Sequence, residues 1–150
     1  MGDVSVMVFY CFFVSFLKLT GCAIKGLADM VQVLGIGGVF FRAKDPAALA
    51  QWYQTHLGIN PVPNGPDDMP WITQEGVTIL SPFDAETDYF PKDRAFMLNF
   101  RVADLEAAIT ALAESGITAS DCTQMDGVGK FARIHDPEGN PIELWQPAGP

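Results

Sequence analysis

Basic residues are scarce in this chain: its 150 residues include nine lysines and arginines against eighteen aspartates and glutamates, which gives a formal net charge of −9. Proteins that bind nucleic acid need clustered positive charge to neutralise phosphates. We therefore expect no nucleic-acid partner, and the acidic surface mainly favours solubility.

Cysteine and histidine are scarce as well, with three cysteines and two histidines. Cys11, Cys22 and Cys122 form no Cys-x-x-Cys or mixed Cys/His pattern, so neither a zinc knuckle nor a disulfide framework is indicated. A reducing compartment fits this usage, and we expect a cytoplasmic protein. The hydrophobic content of 49% over this length is enough for one compact domain and excludes a long multidomain enzyme.

Long hydrophobic runs are limited to residues 4–17 (VSVMVFYCFFVSFL), a run too short for a comfortable membrane span and close to the length of a signal-peptide core. Three interpretations of residues 1–30 stay open. Residues 19–22 (LTGC) are similar to a lipobox, in which Cys22 would be lipidated and anchor the protein to a membrane. Alternatively, Met30 marks the true start, or the segment is an extra helix. We expect membrane attachment only if Cys22 is lipidated.

An internal repeat relates residues 38–45 (GVFFRAKD) to residues 97–104 (MLNFRVAD). Each copy predicts a short strand ending at an aspartate that caps a helix, since Asp45 precedes a proline and Asp104 precedes the run LEAAITALAES. Apolar residues at helical spacing predict that both helices pack on a sheet. The glycines that end these helices are Gly58 and Gly116.

Strand signals follow each predicted helix. They comprise residues 71–73 (WIT) and 76–80 (GVTIL) in the first half, and 130–135 (KFARIH) and 141–145 (PIELW) in the second. A tight turn at residues 136–140 (DPEGN) separates the last two strands. The repeated unit is therefore predicted to be βαβββ.

One α+β domain over residues 31–150 is the resulting prediction. It consists of two βαβββ modules, residues 33–82 and 95–147, which form a cupped mixed sheet. Residues 61–69 and 84–94 are predicted loops, and the second of these joins the modules.

Residues 33–147 resemble the vicinal oxygen chelate superfamily, which contains glyoxalases, bleomycin-resistance proteins and extradiol dioxygenases. The matching segments are residues 52–58 (WYQTHLG), 99–105 (NFRVADL) and 136–144 (DPEGNPIEL), besides the strand that ends at Asp45. The resemblance implies that the two modules curl around a cavity, that one residue from each of four strands holds a divalent ion, and that the protein forms a homodimer.

The metal ligands of the superfamily fall at Gly38, Thr78, Met97 and Glu143. Glycine has no side chain, and a thioether is a poor ligand for a hard divalent ion, so only Glu143 keeps a usual ligand type. We therefore expect no metal cofactor. Glyoxalase and dioxygenase chemistry depends on that ion and is correspondingly disfavoured.

The predicted cavity is lined by residues that share strand parity with the ligand positions. Glu143 is the candidate catalytic residue; an arginine beside it would keep its carboxylate ionised, whereas unpaired burial would favour a protonated general base. A structural ion pair between Glu143 and Arg133, or simple core packing of the aromatic residues, is the competing interpretation. The candidate ligand-binding residues are Phe40, Met97, Asn99, Phe131, Arg133, His135 and Trp145.

Three functional hypotheses remain open at this point. The first is a binding protein of the bleomycin-resistance type that holds a small organic molecule without a metal. The second is a lyase, isomerase or dioxygenase whose metal is held by Glu143 and His135 with help from a second subunit. The third is a module without any ligand. Whether the protein is an enzyme is not settled by the sequence.

Overall fold

The computed structural model describes residues 31–149. The hydrophobic run at 4–17, Cys22 and Met30 lie outside the described residues. Among residues 31–149, no helix has the length and apolar character needed to cross a bilayer.

The first helix, α1, spans Pro46–Leu57 and has the predicted ends. At its start the Asp45 side chain accepts a hydrogen bond from the Ala48 amide at 3.0 Å, which satisfies one of the amides that a helix N-terminus leaves free. At its end Gly58 adopts the left-handed conformation, with φ of 65°, that glycine favours at this position. Both capping predictions are confirmed.

The second helix, α2, spans Leu105–Glu114 and repeats the same N-terminal device. The Asp104 side chain accepts from the Ala107 amide at 3.0 Å. Ser115 caps the C-terminus, and Gly116 follows it with φ of 79°. The helix therefore ends at Glu114, two residues before the predicted glycine.

Four strands form a mixed sheet in the second half of the chain. They are β1 (Leu98–Arg101), β2 (Ser120–Met125), β3 (Gly129–His135) and β4 (Pro141–Pro147). Their order is β1-β4-β3-β2, with β1 parallel to β4 and the other neighbours antiparallel. With the two helices, this sheet makes the protein α+β, as predicted.

The core lies on one face of the sheet, between the strands and both helices. Alternation sends every second strand residue to this face, and the helices contribute one apolar stripe each. The buried cluster contains Leu49, Tyr53, Leu105, Leu112, Ala132, Ile134, Ile142 and Leu144. The residues between them, Asn99, Arg133 and Glu143 among them, occupy the opposite face in the cross-strand register.

The turn between β3 and β4 connects the second module to α1. Asp136 is buried, and its carboxylate accepts hydrogen bonds from the Tyr53 hydroxyl at 3.0 Å and from Asn140 Nδ2 at 2.7 Å. Burial, followed by the charge and hydrogen bond of Asp136, raises the pKa of Tyr53. The Glu138 carboxylate accepts from the backbone amide of Lys44 at 2.8 Å, just before α1 begins.

The predicted βαβββ pattern is complete in the second module and only partly present in the first. The segments predicted as strands at 38–41, 71–73 and 76–80 are not paired into a sheet within the described residues. Their apolar side chains are largely exposed, as at Phe40 (93%) and Leu80 (85%). Without a neighbouring strand, the ladder hydrogen bonds that would define them do not form.

Candidate functional site

Glu143 is the centre of the polar face of the sheet. It lies on β4, where it is 4% exposed, and each of its carboxylate oxygens accepts a short hydrogen bond. The Tyr89 hydroxyl donates to Oε1 at 2.6 Å, and Asn99 Nδ2 donates to Oε2 at 2.7 Å. Asn99 stands directly opposite Glu143 in the parallel β1-β4 pair. The one carboxylate of the predicted site is therefore held by protein donors on both oxygens.

Arg133 faces Glu143 across the antiparallel pair of β3 and β4, as the sequence predicts. Its Nη2 lies 3.8 Å from Glu143 Oε1, and its Nη1 lies 3.4 Å from Asp121 Oδ2. At the longer distance the guanidinium stabilises the carboxylate by charge and not by a hydrogen bond. Nε of Arg133 is buried and has no hydrogen-bond partner within residues 31–149. A buried donor in this condition is energetically unfavourable until an acceptor reaches it.

Tyr89 covers the carboxylate from the loop that joins the two modules. Its ring stacks on Phe83, with centroids 5.2 Å apart and planes 14° apart, and the Arg133 guanidinium carbon lies 4.9 Å from the ring centroid. Burial, together with the hydrogen bond and charge of Glu143, raises the pKa of Tyr89. The phenol therefore remains a hydrogen-bond donor at neutral pH.

An open cavity of about 420 Å³ lies between this loop and the polar face of the sheet. The predicted residues Arg133 and His135 line it together, and both are contributed by β3. The rest of the lining was not predicted and comprises Asp88, Phe90, Pro91, Lys92 and Asp121. The sequence carried little signal for these residues, because four belong to an irregular loop and Asp121 belongs to a polar edge strand.

Phe131 and Trp145 lie on the polar face but not in the cavity lining. Their rings are stacked, with centroids 6.0 Å apart and planes 3° apart, and both residues are buried. Trp145 Nε1 donates to the Val128 carbonyl at 3.1 Å, and Met125 packs on the same cluster. The structure therefore places these two aromatic residues in a small second core.

Phe40 and Met97 are also outside the cavity lining. Met97 is half-buried directly before β1. Phe40 borders a separate open groove of about 620 Å³, which it shares with residues that include Arg94, Phe96 and Asn140. Of the seven residues predicted to bind a ligand, Arg133 and His135 line the cavity, Phe131 and Trp145 form the aromatic cluster, and Phe40 borders the separate groove. Asn99 contacts Glu143, and Met97 lies in none of these places.

The family's metal site does not fit the residues that this chain supplies. At the four ligand positions, Gly38 offers no donor, Met97 offers a thioether, and Thr78 offers only a weak neutral oxygen. The fourth position, Glu143, already accepts hydrogen bonds from Tyr89 and Asn99. Within residues 31–149, no group of three or more His, Cys, Asp and Glu side chains is close enough to hold an ion.

The mixed sheet with both helices on one face gives this protein the α+β architecture expected of the glyoxalase and bleomycin-resistance fold. A family model described as "Glyoxalase-like domain" matches residues 38–145. The chain belongs to this family, and with it to the vicinal oxygen chelate superfamily. No curated protein matches the sequence.

Several solved structures are similar to this chain. A glyoxalase family protein from Enterococcus faecalis is 31% identical, over 43% of this chain and 52% of that chain, with a TM-score of 0.34. The match spans about half the length of that relative. TnmS3, an antibiotic-binding protein from Streptomyces sp. CB03234, is 24% identical over 69% and 88% of the two chains, with a TM-score of 0.44. A superfamily member from Sphaerobacter thermophilus is 19% identical over 69% and 90%, with a TM-score of 0.45.

Proposed function

We propose that this protein binds a small organic molecule between the 84–94 loop and the polar face of the sheet, without the metal ion of its superfamily. The observation that carries the proposal is the set of contacts made by Glu143 and Arg133, the two charged residues at the centre of the site. Glu143 is held by two short hydrogen bonds, while the guanidinium of Arg133 lines an open cavity and approaches its two carboxylate neighbours only to 3.4 and 3.8 Å. A guanidinium in this position can donate hydrogen bonds to an acceptor on a ligand.

The cavity is suited to orienting a ligand of modest size. Its volume of about 420 Å³ falls in the range of small-molecule sites. Arg133 and His135 supply donors from a rigid strand, and Phe90 and Pro91 supply an apolar wall from the loop. An apolar wall combined with a few fixed polar groups is a usual composition for a ligand site.

Glu143 supports binding and not catalysis in this proposal. A carboxylate acting as a general base needs a free lone pair aimed at the substrate proton. Here Tyr89 and Asn99 each donate a short hydrogen bond to one of the two carboxylate oxygens, which leaves fewer lone pairs for a substrate proton. No contact in the described residues brings His135 and Glu143 together as a pair, so the metal-dependent alternative gains no support.

A thermal-shift screen with aromatic and thiol-containing metabolites tests the binding function. We expect compounds that raise Tm for the wild type and for Lys130→Met, a control on the same strand but outside the cavity lining. The shift should disappear in Arg133→Met, which removes the guanidinium from the cavity lining. Hits that stabilise Arg133→Met equally would place the ligand elsewhere, and a screen without hits would contradict the proposal.

Metal analysis of the purified protein tests the absence of the family ion. We expect less than about a tenth of an equivalent of any divalent transition metal, in the wild type and in Glu143→Ala. A stoichiometric metal in the wild type that is lost in Glu143→Ala would overturn the proposal in favour of a metal-dependent lyase or dioxygenase.

We further propose that the protein acts as a cytoplasmic homodimer. The support for dimerisation is the distribution of large exposed apolar side chains, all of which, within residues 31–149, lie between Val31 and Phe83. A second copy of the chain could cover this surface, because it presents the same unpaired first-module segments and the same free sheet edges.

A further inference from the structure

Tyr89 makes the contacts that a bound aromatic molecule would make. Its hydroxyl donates to Glu143 Oε1 at 2.6 Å, its ring stacks on Phe83, and the Arg133 guanidinium lies over the ring. Hydrogen bonds to a charged acceptor and cation-π contacts are both recognition interactions of measurable strength. The protein therefore already has the groups that would bind a phenol, and the side chain of Tyr89 occupies them.

The loop that carries Tyr89 is fastened to the sheet by few bonds. Within residues 84–92, the backbone and side-chain hydrogen bonds of the described structure are local, as between Glu86 and Asp84 and between Lys92 and Glu86. The bond from Tyr89 to Glu143 is the one hydrogen bond that these residues make to the described strands. Breaking that bond would remove the hydrogen bond between residues 84–92 and the strands without unpairing any strand, while Arg94 would still hold the end of the loop to Glu138 and Asn140.

The open cavity is lined by residues that lie next to the contact between Tyr89 and Glu143. Asp88 and Phe90, the neighbours of Tyr89, line it from the loop, and Arg133 lines it from the sheet. The cavity therefore lies against the two neighbours of Tyr89 in the loop and against Arg133, whose guanidinium contacts the Tyr89 ring.

We propose that Tyr89 is an internal occupant of the Glu143 subsite, and that the ligand displaces it with an aromatic ring that carries its own hydrogen-bond donor. This inference rests on the proposed binding function and names the chemical class of its ligand. Tyr89 acts here as the residue that sets specificity, because a ligand has to replace both the donor and the stacked ring.

The test uses p-cresol, the side-chain analogue of tyrosine, and toluene, which lacks the hydroxyl. Binding of both to the full-length wild type, Tyr89→Ala and Tyr89→Phe is measured by calorimetry. In Tyr89→Ala we expect p-cresol to bind about tenfold or more tightly than toluene, because only p-cresol donates to the carboxylate. We expect the wild type to bind p-cresol at least about tenfold more weakly than Tyr89→Ala, with Tyr89→Phe between them.

A double variant, Tyr89→Ala with Glu143→Gln, assigns the preference to the carboxylate. It should lose most of the advantage of p-cresol over toluene, since the charged acceptor is gone. Equal affinities of p-cresol and toluene for Tyr89→Ala would overturn the proposal, and so would equal affinities of p-cresol for the wild type and Tyr89→Ala. If Tyr89→Ala does not fold, Tyr89→Phe decides the matter: it has to bind p-cresol more tightly than the wild type does.

The two proposals fail in different ways. Compounds from the metabolite screen that bind the wild type and Tyr89→Ala equally would overturn the role of Tyr89 and support the binding function. A Tyr89→Ala variant that binds p-cresol, beside a wild type that binds no compound in the screen, would overturn the binding function and with it the displacement of Tyr89 by a ligand.

Discussion

At the scale of single residues, Asp136 has the most demanding environment among the buried acids. It accepts four hydrogen bonds, from the Tyr53 hydroxyl, Asn140 Nδ2, and the backbone amides of Glu138 and Asn140. Burial of a carboxylate is tolerated only when donors replace the water it loses. The turn therefore depends on this one side chain.

Replacing Asp136 should accordingly destabilise the fold more than the loss of a surface acid does. We expect Asp136→Ala to lower the free energy of unfolding by about 3 kcal/mol or more, since several buried donors lose their acceptor. The exposed Asp67, changed to alanine, is the control and should change it by less than about 0.5 kcal/mol. Urea denaturation monitored by tryptophan fluorescence measures both, and similar values for the two variants would refute the assignment.

Tyrosine ionisation gives a second prediction at this scale. The pKa values of Tyr53 and Tyr89 are raised above the ordinary 10.0, chiefly by burial. Above about pH 10 the unfolded chain therefore releases protons that the native chain retains, so stability is full below that pH and falls as pH rises. Ultraviolet titration should show native tyrosines still protonated above pH 11, and Tyr53→Phe and Tyr89→Phe should each reduce that fraction.

At the scale of elements, the start of β3 depends on a glycine. Gly129 has φ of 140°, and a Cβ at this position would collide with the Gln146 carbonyl oxygen on β4 and approach Trp145 Nε1 to 2.7 Å. Gly127, in the same turn, has φ of 72° but open space around it. Both glycines have a positive φ, but only Gly129 is closely packed, so a comparison of the two isolates the effect of close packing.

Alanine substitution at the two glycines should have unequal effects. We expect Gly127→Ala to cost about 1 kcal/mol, because only its left-handed conformation is strained. Gly129→Ala should cost about 3 kcal/mol or more, since the neighbouring strand has to move. Thermal unfolding by circular dichroism compares them, and equal losses would show that no close contact operates at Gly129.

The elements that sequence could predict are those with a strong local signal. Both helices were located to within two residues because an aspartate cap and a terminal glycine mark them, as at Asp45 and Gly58. Strand β2 was missed because it is a polar edge strand, SDCTQM, with almost every residue exposed. An edge strand that buries nothing has no hydrophobic alternation for a sequence pattern to reveal.

The candidate site was predictable only where it lies on strands. Alternation correctly placed Asn99, Arg133 and Glu143 on one face, because parity is fixed once the core residues are known. Tyr89 could not be inferred, since the position of a loop side chain depends on contacts far away in sequence. The same limit explains Phe40, whose predicted strand has no partner in the described structure.

At the scale of the whole molecule, the two halves differ in how they bury apolar surface. The strands of the second module bury their apolar face against both helices, whereas the first module leaves Leu34, Phe40 and Leu80 more than four-fifths exposed. Exposed apolar surface of this extent in one region is typical of an interface. Because each copy carries a net charge of −9, two copies repel each other. A dimer would therefore depend on apolar contacts to offset this repulsion.

We therefore expect the purified protein to be a dimer at micromolar concentration, as measured by size-exclusion chromatography with light scattering. The variant Phe40→Ser with Leu80→Ser should shift it toward monomer, because it removes apolar contact area. Gln51→Ser, on the exposed side of α1, should leave the mass unchanged. A monomeric wild type, or a double variant with unchanged mass, would contradict dimerisation.

Glu138, in the turn between β3 and β4, links the second module to the start of α1 in the first. Its carboxylate accepts hydrogen bonds from the backbone amides of Lys44 and Asp45, which precede it by 94 and 93 residues. Deuterium uptake at those two amides should then report on the opening of the β3-β4 turn and not on fraying of the nearby helix. Exchange measured at residues 44 and 45 would thus report on the integrity of a turn that lies more than ninety residues later in the chain.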